Sequence, residues 1–314
     1  MKIILHILFL TVFFHFPENS FADEEKFTEL FNQGFKSVYN FEFEKADSIV
    51  SALKKNYPEE SRTYALAANC YWWKIRSGDD NPLSRKKYSS SLDELEKLLE
   101  KRKSAKQLKQ EDVFNYINLY SYRARLELLD NNYMKVFSYM NKCNAFILLS
   151  SGSEESYEPF YLTSGLYNCF MSAAKKDHPL FAPYFLFAPE CEMEKGVKQL
   201  SKCCCSSDFL LQTEANYFLM ILYGEGEIDY PLSSSYAEKL CAQYPNNLLY
   251  QYYLFKVKLL SGNLESAMKN LILLYQKEKS ITGLNEAQRK HFTDLAGKDM
   301  SEYYKKHPNE KSDN

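Results

Sequence analysis

The side chains that could carry out chemistry are few, and they are spread along the chain. Three histidines follow residue 22, namely His178, His291 and His307, and long stretches separate the first from the other two. The sequence has no His-Glu-x-x-His pair, phosphate-binding glycine loop, nucleophile elbow or dinucleotide fingerprint. Asp79 and Asp80 are paired carboxylates, but no acid or base stands beside them in the sequence. We therefore expect no catalytic residues and no enzyme.

Eight cysteines could bind a metal, form disulfides or serve as buried apolar groups. They are Cys70, Cys143, Cys169, Cys191, Cys203, Cys204, Cys205 and Cys241. No Cys-x-x-Cys pair occurs. The three consecutive cysteines would point about 100° apart on a helix, so they could not converge on one ion. We expect mostly buried thiols, no metal and no cofactor, and one or two disulfides remain an alternative.

The amino terminus has the layout of a cleaved secretory signal. Lys2 precedes an apolar run over residues 3–16, and small residues follow at Ser20 and Ala22. The run is shorter than the ~20 residues that span a bilayer, which disfavours an uncleaved anchor. The pattern predicts a signal peptide over residues 1–22 and a mature protein in the periplasm or outside the cell.

Composition limits the partners of the mature chain. The formal net charge is −2, which gives no basic footprint for nucleic acid. No later stretch is apolar and long enough to span a membrane, although association with the envelope stays open. The chain has 25 tyrosines and 22 phenylalanines but only 10 glycines and 10 prolines. Large rings with few turn residues favour helices packed on helices.

Small residues and prolines recur with a shared spacing. Ala46 precedes Pro58 by 12 residues, and Pro245 precedes Ala267 by 22 residues. The sum of 12 and 22 is 34, the length of a helix-pair repeat. A small residue lets the two helices of a pair approach, and a proline ends the second helix. The sequence therefore predicts repeated helix pairs, with Ala46 and Ala267 buried between helices.

On these residues the chain resembles the tetratricopeptide repeat family, and more narrowly the exported repeat proteins of Bacteroidota-type bacteria. The segments that carry the resemblance are FEFEKADSIVSALKKNYP, YALAANCYWWKI, LTSGLYNCF, GVKQL and AEKLCAQYPNN. Most units depart from the family pattern because they lack the tryptophan, leucine and glycine of its first helix. The resemblance implies a right-handed α-solenoid of antiparallel helix pairs, roughly six pairs over residues 23–280. A capping helix and a disordered tail would fill residues 281–314.

Apolar residues spaced three and four apart predict thirteen helices. Their ranges are 24–40, 42–56, 61–77, 88–103, 111–130, 133–149, 156–175, 189–204, 208–224, 232–243, 247–261, 264–278 and 284–305. A polar turn is predicted over 78–84. The connection over 177–189 contains three prolines and the apolar stretch 180–187, which would either plug the solenoid or bind a partner.

The first helix of each pair would line the inner surface of the solenoid. The register predicts six binding residues there: Arg62, Asn69, Trp72, Trp73, Asn118 and Arg125. Tryptophan and arginine are common anchors of interfaces. Adjacent tryptophans point about 100° apart on a helix, so at least one would reach the groove or its edge, and core packing is the alternative.

The sequence therefore predicts an exported scaffold that binds a protein or peptide partner through its concave groove. A first alternative is a structural accessory of an outer-membrane assembly, which would use its convex surface. A second alternative is an enzyme with an unrecognised site. An apolar inner face would favour the scaffold, an outer patch the accessory, and a deep pocket with clustered ionisable groups the enzyme.

Overall fold

The computed structural model describes residues 19–79, 81–177, 189–226 and 228–308, with side chains from residue 23 onward. Its helices are α1 (Asn19–Tyr39), α2 (Phe43–Asn56), α3 (Ser61–Arg76), α4 (Pro82–Ser104), α5 (Gln110–Leu129), α6 (Tyr133–Ser150), α7 (Pro159–Asp177), α8 (Met193–Cys203), α9 (Phe209–Glu225), α10 (Tyr230–Gln243), α11 (Leu248–Leu260), α12 (Leu264–Ser280) and α13 (Glu286–Lys306). These described parts contain no strand. The predicted all-α class is confirmed.

Helix α4 is the largest difference from the predicted boundaries, because it begins at Pro82 rather than near residue 88. The Asn81 side chain accepts a hydrogen bond from the backbone N–H of Leu83, and proline fits the first helical position. Part of the predicted turn over 78–84 is therefore helix.

Three predicted features lie wholly or mostly outside the described residues. They are the signal peptide over residues 1–22, the apolar stretch 180–187 and the carboxyl-terminal tail. In the described part, no helix combines the length and apolar character needed to cross a bilayer.

Each odd-numbered helix packs along the even-numbered helix that follows it, from α1 with α2 to α11 with α12. Helix α13 packs on both α11 and α12. Small side chains let these partners approach: Ala46 and Ala267 have no exposed surface, which confirms their predicted burial. Successive odd helices also touch one another from α1 through α9. The odd helices therefore face a common interior.

The two ends of the chain share one hydrophobic core, which joins residues of α1–α3 to residues of α9–α13. The Trp73 ring lies 5.4 Å from the ring of Tyr217 and 5.8 Å from that of Tyr250. Gln288 donates a hydrogen bond of 2.8 Å to the Ser77 hydroxyl, 211 positions earlier. The last helices therefore pack directly against the first.

Candidate functional site

A cavity of about 490 Å³ lies between the odd helices α1, α3, α5, α7 and α9. Each of these helices contributes a stripe of side chains at helical spacing. On α5 the stripe consists of Glu111, Asn115, Asn118, Tyr122 and Arg125. These side chains share one face because residues three and four apart lie on the same side of a helix.

Aromatic rings form a large part of the cavity wall, since eight of the 25 lining residues are aromatic. Phe31 and Phe35 line it from α1, Phe114 from α5, and Phe209 and Phe218 from α9. Sites for small ligands typically enclose ~300–1,000 Å³ and combine an apolar wall with a few polar groups. Both the volume and the lining of this cavity are of that kind.

The polar groups at one end of the cavity form a cluster of ion pairs around Arg62. The Arg62 guanidinium lies 2.8 Å from Glu24, 3.2 Å from Glu60 and 3.3 Å from Glu111. It also stacks at 4.3 Å on the ring of Phe27. Three carboxylates around one cation leave little capacity for a ligand, so this cluster chiefly ties α1, α3 and α5 together.

Arg125, at the other end, has no such partners. Its guanidinium lies over the rings of Tyr122, Phe218 and Trp72, at 5.0, 5.4 and 6.0 Å. Among the described residues no carboxylate lies within 4.0 Å of it, and none accepts a hydrogen bond from it. Such cation–π contacts use no N–H donor, so the guanidinium N–H groups can bind a group in the cavity.

Glu214 brings a carboxylate to the same end of the cavity. The Tyr39 hydroxyl donates a hydrogen bond of 2.5 Å to its Oε1. Burial raises the pKa of Glu214, although the Tyr39 hydrogen bond and the charge of Arg125 both act to lower it. Glu214 precedes Phe218 by one helical turn, about 6 Å along the axis. Arg125 stacks on Phe218, so the two opposite charges lie near each other but unpaired.

Asparagine amides add hydrogen-bonding groups along the cavity. The Asn69 Nδ2 donates to the Tyr122 hydroxyl at 2.7 Å. In contrast, the Asn115 Nδ2 has no partner within the described residues, and only 4% of that side chain is exposed. Leaving a buried amide unsatisfied costs about 1–3 kcal/mol, so a polar group in the cavity would stabilise Asn115.

Four of the six predicted binding residues line the cavity: Arg62, Asn69, Asn118 and Arg125. Trp72 and Trp73 do not. Trp73 is 3% exposed and packs in the core that joins the chain ends, because α9 and α11 cover this part of α3. Trp72 is half-buried between two core clusters and reaches the site only as a surface beneath Arg125.

Sequence reasoning missed Glu214, Asn115 and the aromatic residues of α9. One signal was available for Glu214. It is the only charged residue between Phe209 and Gly224, in a helix that is otherwise apolar or neutral. A lone carboxylate in such a helix is seldom buried without a partner.

The cysteines show a mixed pattern. All eight lie in the described residues and none forms a disulfide. Cys70, Cys143, Cys169 and Cys203 are buried, whereas Cys205 is exposed. Burial raises the pKa of the Cys70 thiol to about 12. No group of three or more potential ligands among the described His, Cys, Asp and Glu residues could hold a metal ion.

The chain matches no family model, no curated protein and no solved structure. We therefore infer the function of the protein from the geometry of the cavity.

We expect Glu214→Gln to raise the free energy of unfolding at pH 8 and to leave it nearly unchanged near pH 3.5. The pKa of Glu214 is raised in the folded protein above the ordinary value of ~4.3. The folded state therefore binds this proton more tightly, and ionisation lowers stability above the folded pKa. Below the unfolded pKa both states are protonated, so the difference disappears.

Urea denaturation of both proteins at the two pH values measures this effect. Glu302→Gln, which changes an exposed glutamate of α13, is the control, and we expect little change from it. A stabilisation by Glu214→Gln that grew as the pH fell would contradict the assignment.

Proposed function

We propose that this protein is an exported repeat protein of the tetratricopeptide kind. It would form a right-handed α-solenoid of six helix pairs with α13 as the cap. Three observations support this architecture: consecutive helices pack in pairs, Ala46 and Ala267 are buried at helix contacts, and the sequence spacing sums to 34 residues. The signal-like pattern over residues 1–22 supports export.

Its function, in this proposal, is to bind a ligand the size of a short peptide inside the cavity. One observation carries the proposal: a cavity of about 490 Å³ is lined by Arg125, which forms no ion pair with the described residues, and by Asn115, whose buried Nδ2 has no hydrogen-bond partner among them. A folded partner could not enter such a space. A protein partner would have to insert a terminal segment into the cavity. The proposal is therefore narrower than the protein or peptide partner predicted from the sequence.

An enzyme is the second candidate, and one observation favours it. A carboxylate whose pKa is raised inside a cavity is a common feature of catalytic sites. The other polar groups at that end are Arg125, Asn69 and two tyrosines, Tyr39 and Tyr122, and burial raises the pKa of both tyrosines. Ligand recovered chemically unchanged after incubation with the protein would support binding over catalysis.

An accessory role that uses the outer surface has weaker support. Leu128, Leu129, Tyr133 and Met134 expose apolar surface around the turn between α5 and α6, and Met134 is 80% exposed. Such a patch is a possible contact surface, but it is confined to one turn. The cavity draws residues from five helices, and we therefore prefer it as the functional site.

Filling the cavity tests the proposal. Ala65 lines it from α3, so Ala65→Phe would place a ring in the space a ligand needs. The control, Ala242→Phe, makes the same change at an exposed position on α10. Each protein is mixed with a library of amino acids and peptides of up to four residues, and retained compounds are identified by mass spectrometry.

We expect the wild type and Ala242→Phe to retain the same compounds and Ala65→Phe to lose them by at least about tenfold, the equivalent of ~1.4 kcal/mol. If Ala65→Phe melted normally and retained the same compounds, the ligand would bind elsewhere and the proposal would be wrong.

A further inference from the structure

Two opposite charges lie at one end of the cavity without neutralising each other. Arg125 reaches it from α5, and Glu214 reaches it from α9. Two other partly buried cations are paired: Arg102 lies 2.5 Å from Asp112, and Lys74 lies 2.6 Å from Asp47. Arg125 and Glu214 form no such pair, although both line the cavity.

The surrounding side chains hold both charges in place. Three rings lie within 6.0 Å of the Arg125 guanidinium, and the Tyr39 hydroxyl donates a hydrogen bond to Oε1 of Glu214. Among the described residues, no donor contacts the second carboxylate oxygen of Glu214. The free groups are therefore a guanidinium edge, which binds a carboxylate through two hydrogen bonds, and a carboxylate oxygen, which accepts one from an ammonium group.

We infer that this end of the cavity, between Arg125 and Glu214, binds an α-amino acid head group, with its free carboxylate on Arg125 and its free ammonium on Glu214. This inference rests on the proposed function and narrows it to a chemical class. An α-amino acid carries both charges on one carbon, which suits a cation and an anion that line the same cavity.

The rest of the ligand is apolar. Beyond the two charges, the cavity continues along the rings of Phe35, Phe31, Phe209 and Phe114. An aliphatic or aromatic side chain would bury its surface against these rings, at about 25 cal/mol for each Å² removed from water.

Other charge patterns fit less well. A phosphate dianion would gain from Arg125 but would be repelled by Glu214. A simple amine would gain from Glu214 but would be repelled by Arg125. A neutral apolar molecule would leave both charges desolvated without partners, which is unfavourable. Only a ligand with both charges satisfies both residues.

Matched probes separate the two contacts. The apolar amino acid that binds the protein most tightly is chosen from leucine, isoleucine, valine, methionine, phenylalanine and tryptophan. Its N-acetyl derivative lacks the ammonium charge, and its amide lacks the carboxylate. Calorimetric titration gives the affinity of each compound for the wild type, Arg125→Gln and Glu214→Gln. Arg85→Gln removes an exposed arginine paired with Asp130 and serves as the control.

For the wild type and Arg85→Gln, we expect the free amino acid to bind at least tenfold tighter than either derivative, since hydrogen bonds to charged groups contribute that much or more. Arg125→Gln should lose the preference over the amide but keep the preference over the N-acetyl compound. Glu214→Gln should lose the preference over the N-acetyl compound but keep the preference over the amide. A residue with a merely structural role would not shift the two preferences separately.

Three outcomes would overturn the inference: none of the six amino acids binds, both derivatives bind as tightly as the free amino acid, or the two variants keep both preferences. Peptides with blocked termini that bind the wild type but not Ala65→Phe would leave the proposed function intact while removing this inference. If no library member binds at all, the proposed function fails as well.

Discussion

Replacing Trp73 with alanine is expected to lower the free energy of unfolding by about 3–5 kcal/mol. The ring is 3% exposed and contacts Tyr39 from the first helix, Tyr217 from α9 and Tyr250 from α11. Its removal would leave a cavity in the core that joins the two ends of the chain. Urea denaturation followed by circular dichroism measures the loss.

The neighbouring Trp72 is the matched control for this prediction. It is half-buried, and its ring lies 5.9 Å from that of Tyr88 in a tilted arrangement. Trp72→Ala should therefore cost clearly less than Trp73→Ala. If the two variants lost the same stability, or if Trp72→Ala lost more, Trp73 would not be the residue that joins the chain ends.

Replacing Asp112 with alanine is expected to lower the free energy of unfolding by about 3 kcal/mol or more. This carboxylate is 1% exposed, lies 2.5 Å from Arg102, and accepts a hydrogen bond of 2.9 Å from the Lys109 backbone at the start of α5. Removing one member of a buried pair typically costs about 3–5 kcal/mol. The Arg102 side chain is 29% exposed, which places the expected loss at the lower end.

An exposed ion pair one position away provides the contrast. Lys101 and Glu59 lie 2.7 Å apart, and both side chains are 72% exposed. Glu59→Ala should cost much less than Asp112→Ala, because exposed ion pairs contribute little to stability. Equal losses in Asp112→Ala and Glu59→Ala, measured by the same denaturation experiment, would show that the Arg102–Asp112 pair contributes no more than a surface contact.

Local patterns in the sequence predicted the helices well because each helix buries one stripe of apolar residues. The main error, the start of α4, has a local cause. Residues 82–87 are mostly polar and lack the apolar spacing, and the helix begins there because of the Asn81 cap and Pro82. The Asn81 cap and Pro82 determine where α4 begins, and the spacing of apolar residues does not indicate it.

The site was predictable only in part. The repeat register placed Arg62, Asn69, Asn118 and Arg125 on the inner surface, and these four side chains line the cavity. The register could not show that α9 and α11 would cover Trp73, since that depends on contacts such as Gln288 with Ser77, 211 positions apart. The same long-range contacts place Trp73 in the core rather than on the inner surface.

The positions of the two charged side chains at this end of the cavity also depend on how distant helices pack. Glu214 and Arg125 come from helices far apart in sequence, so neither residue marks a site by itself. Periodicity places a side chain on a helix face. Only the packing of the helices shows which faces meet.

A crystal structure of the protein with its tightest ligand from the library is the most direct test of whether the cavity is the binding site. We expect electron density for that ligand inside the cavity, bounded by Phe35 of α1, Asn115 and Arg125 of α5, and Glu214 of α9. Density on the outer surface, such as over Met134 at the turn between α5 and α6, with an unchanged empty interior, would contradict it.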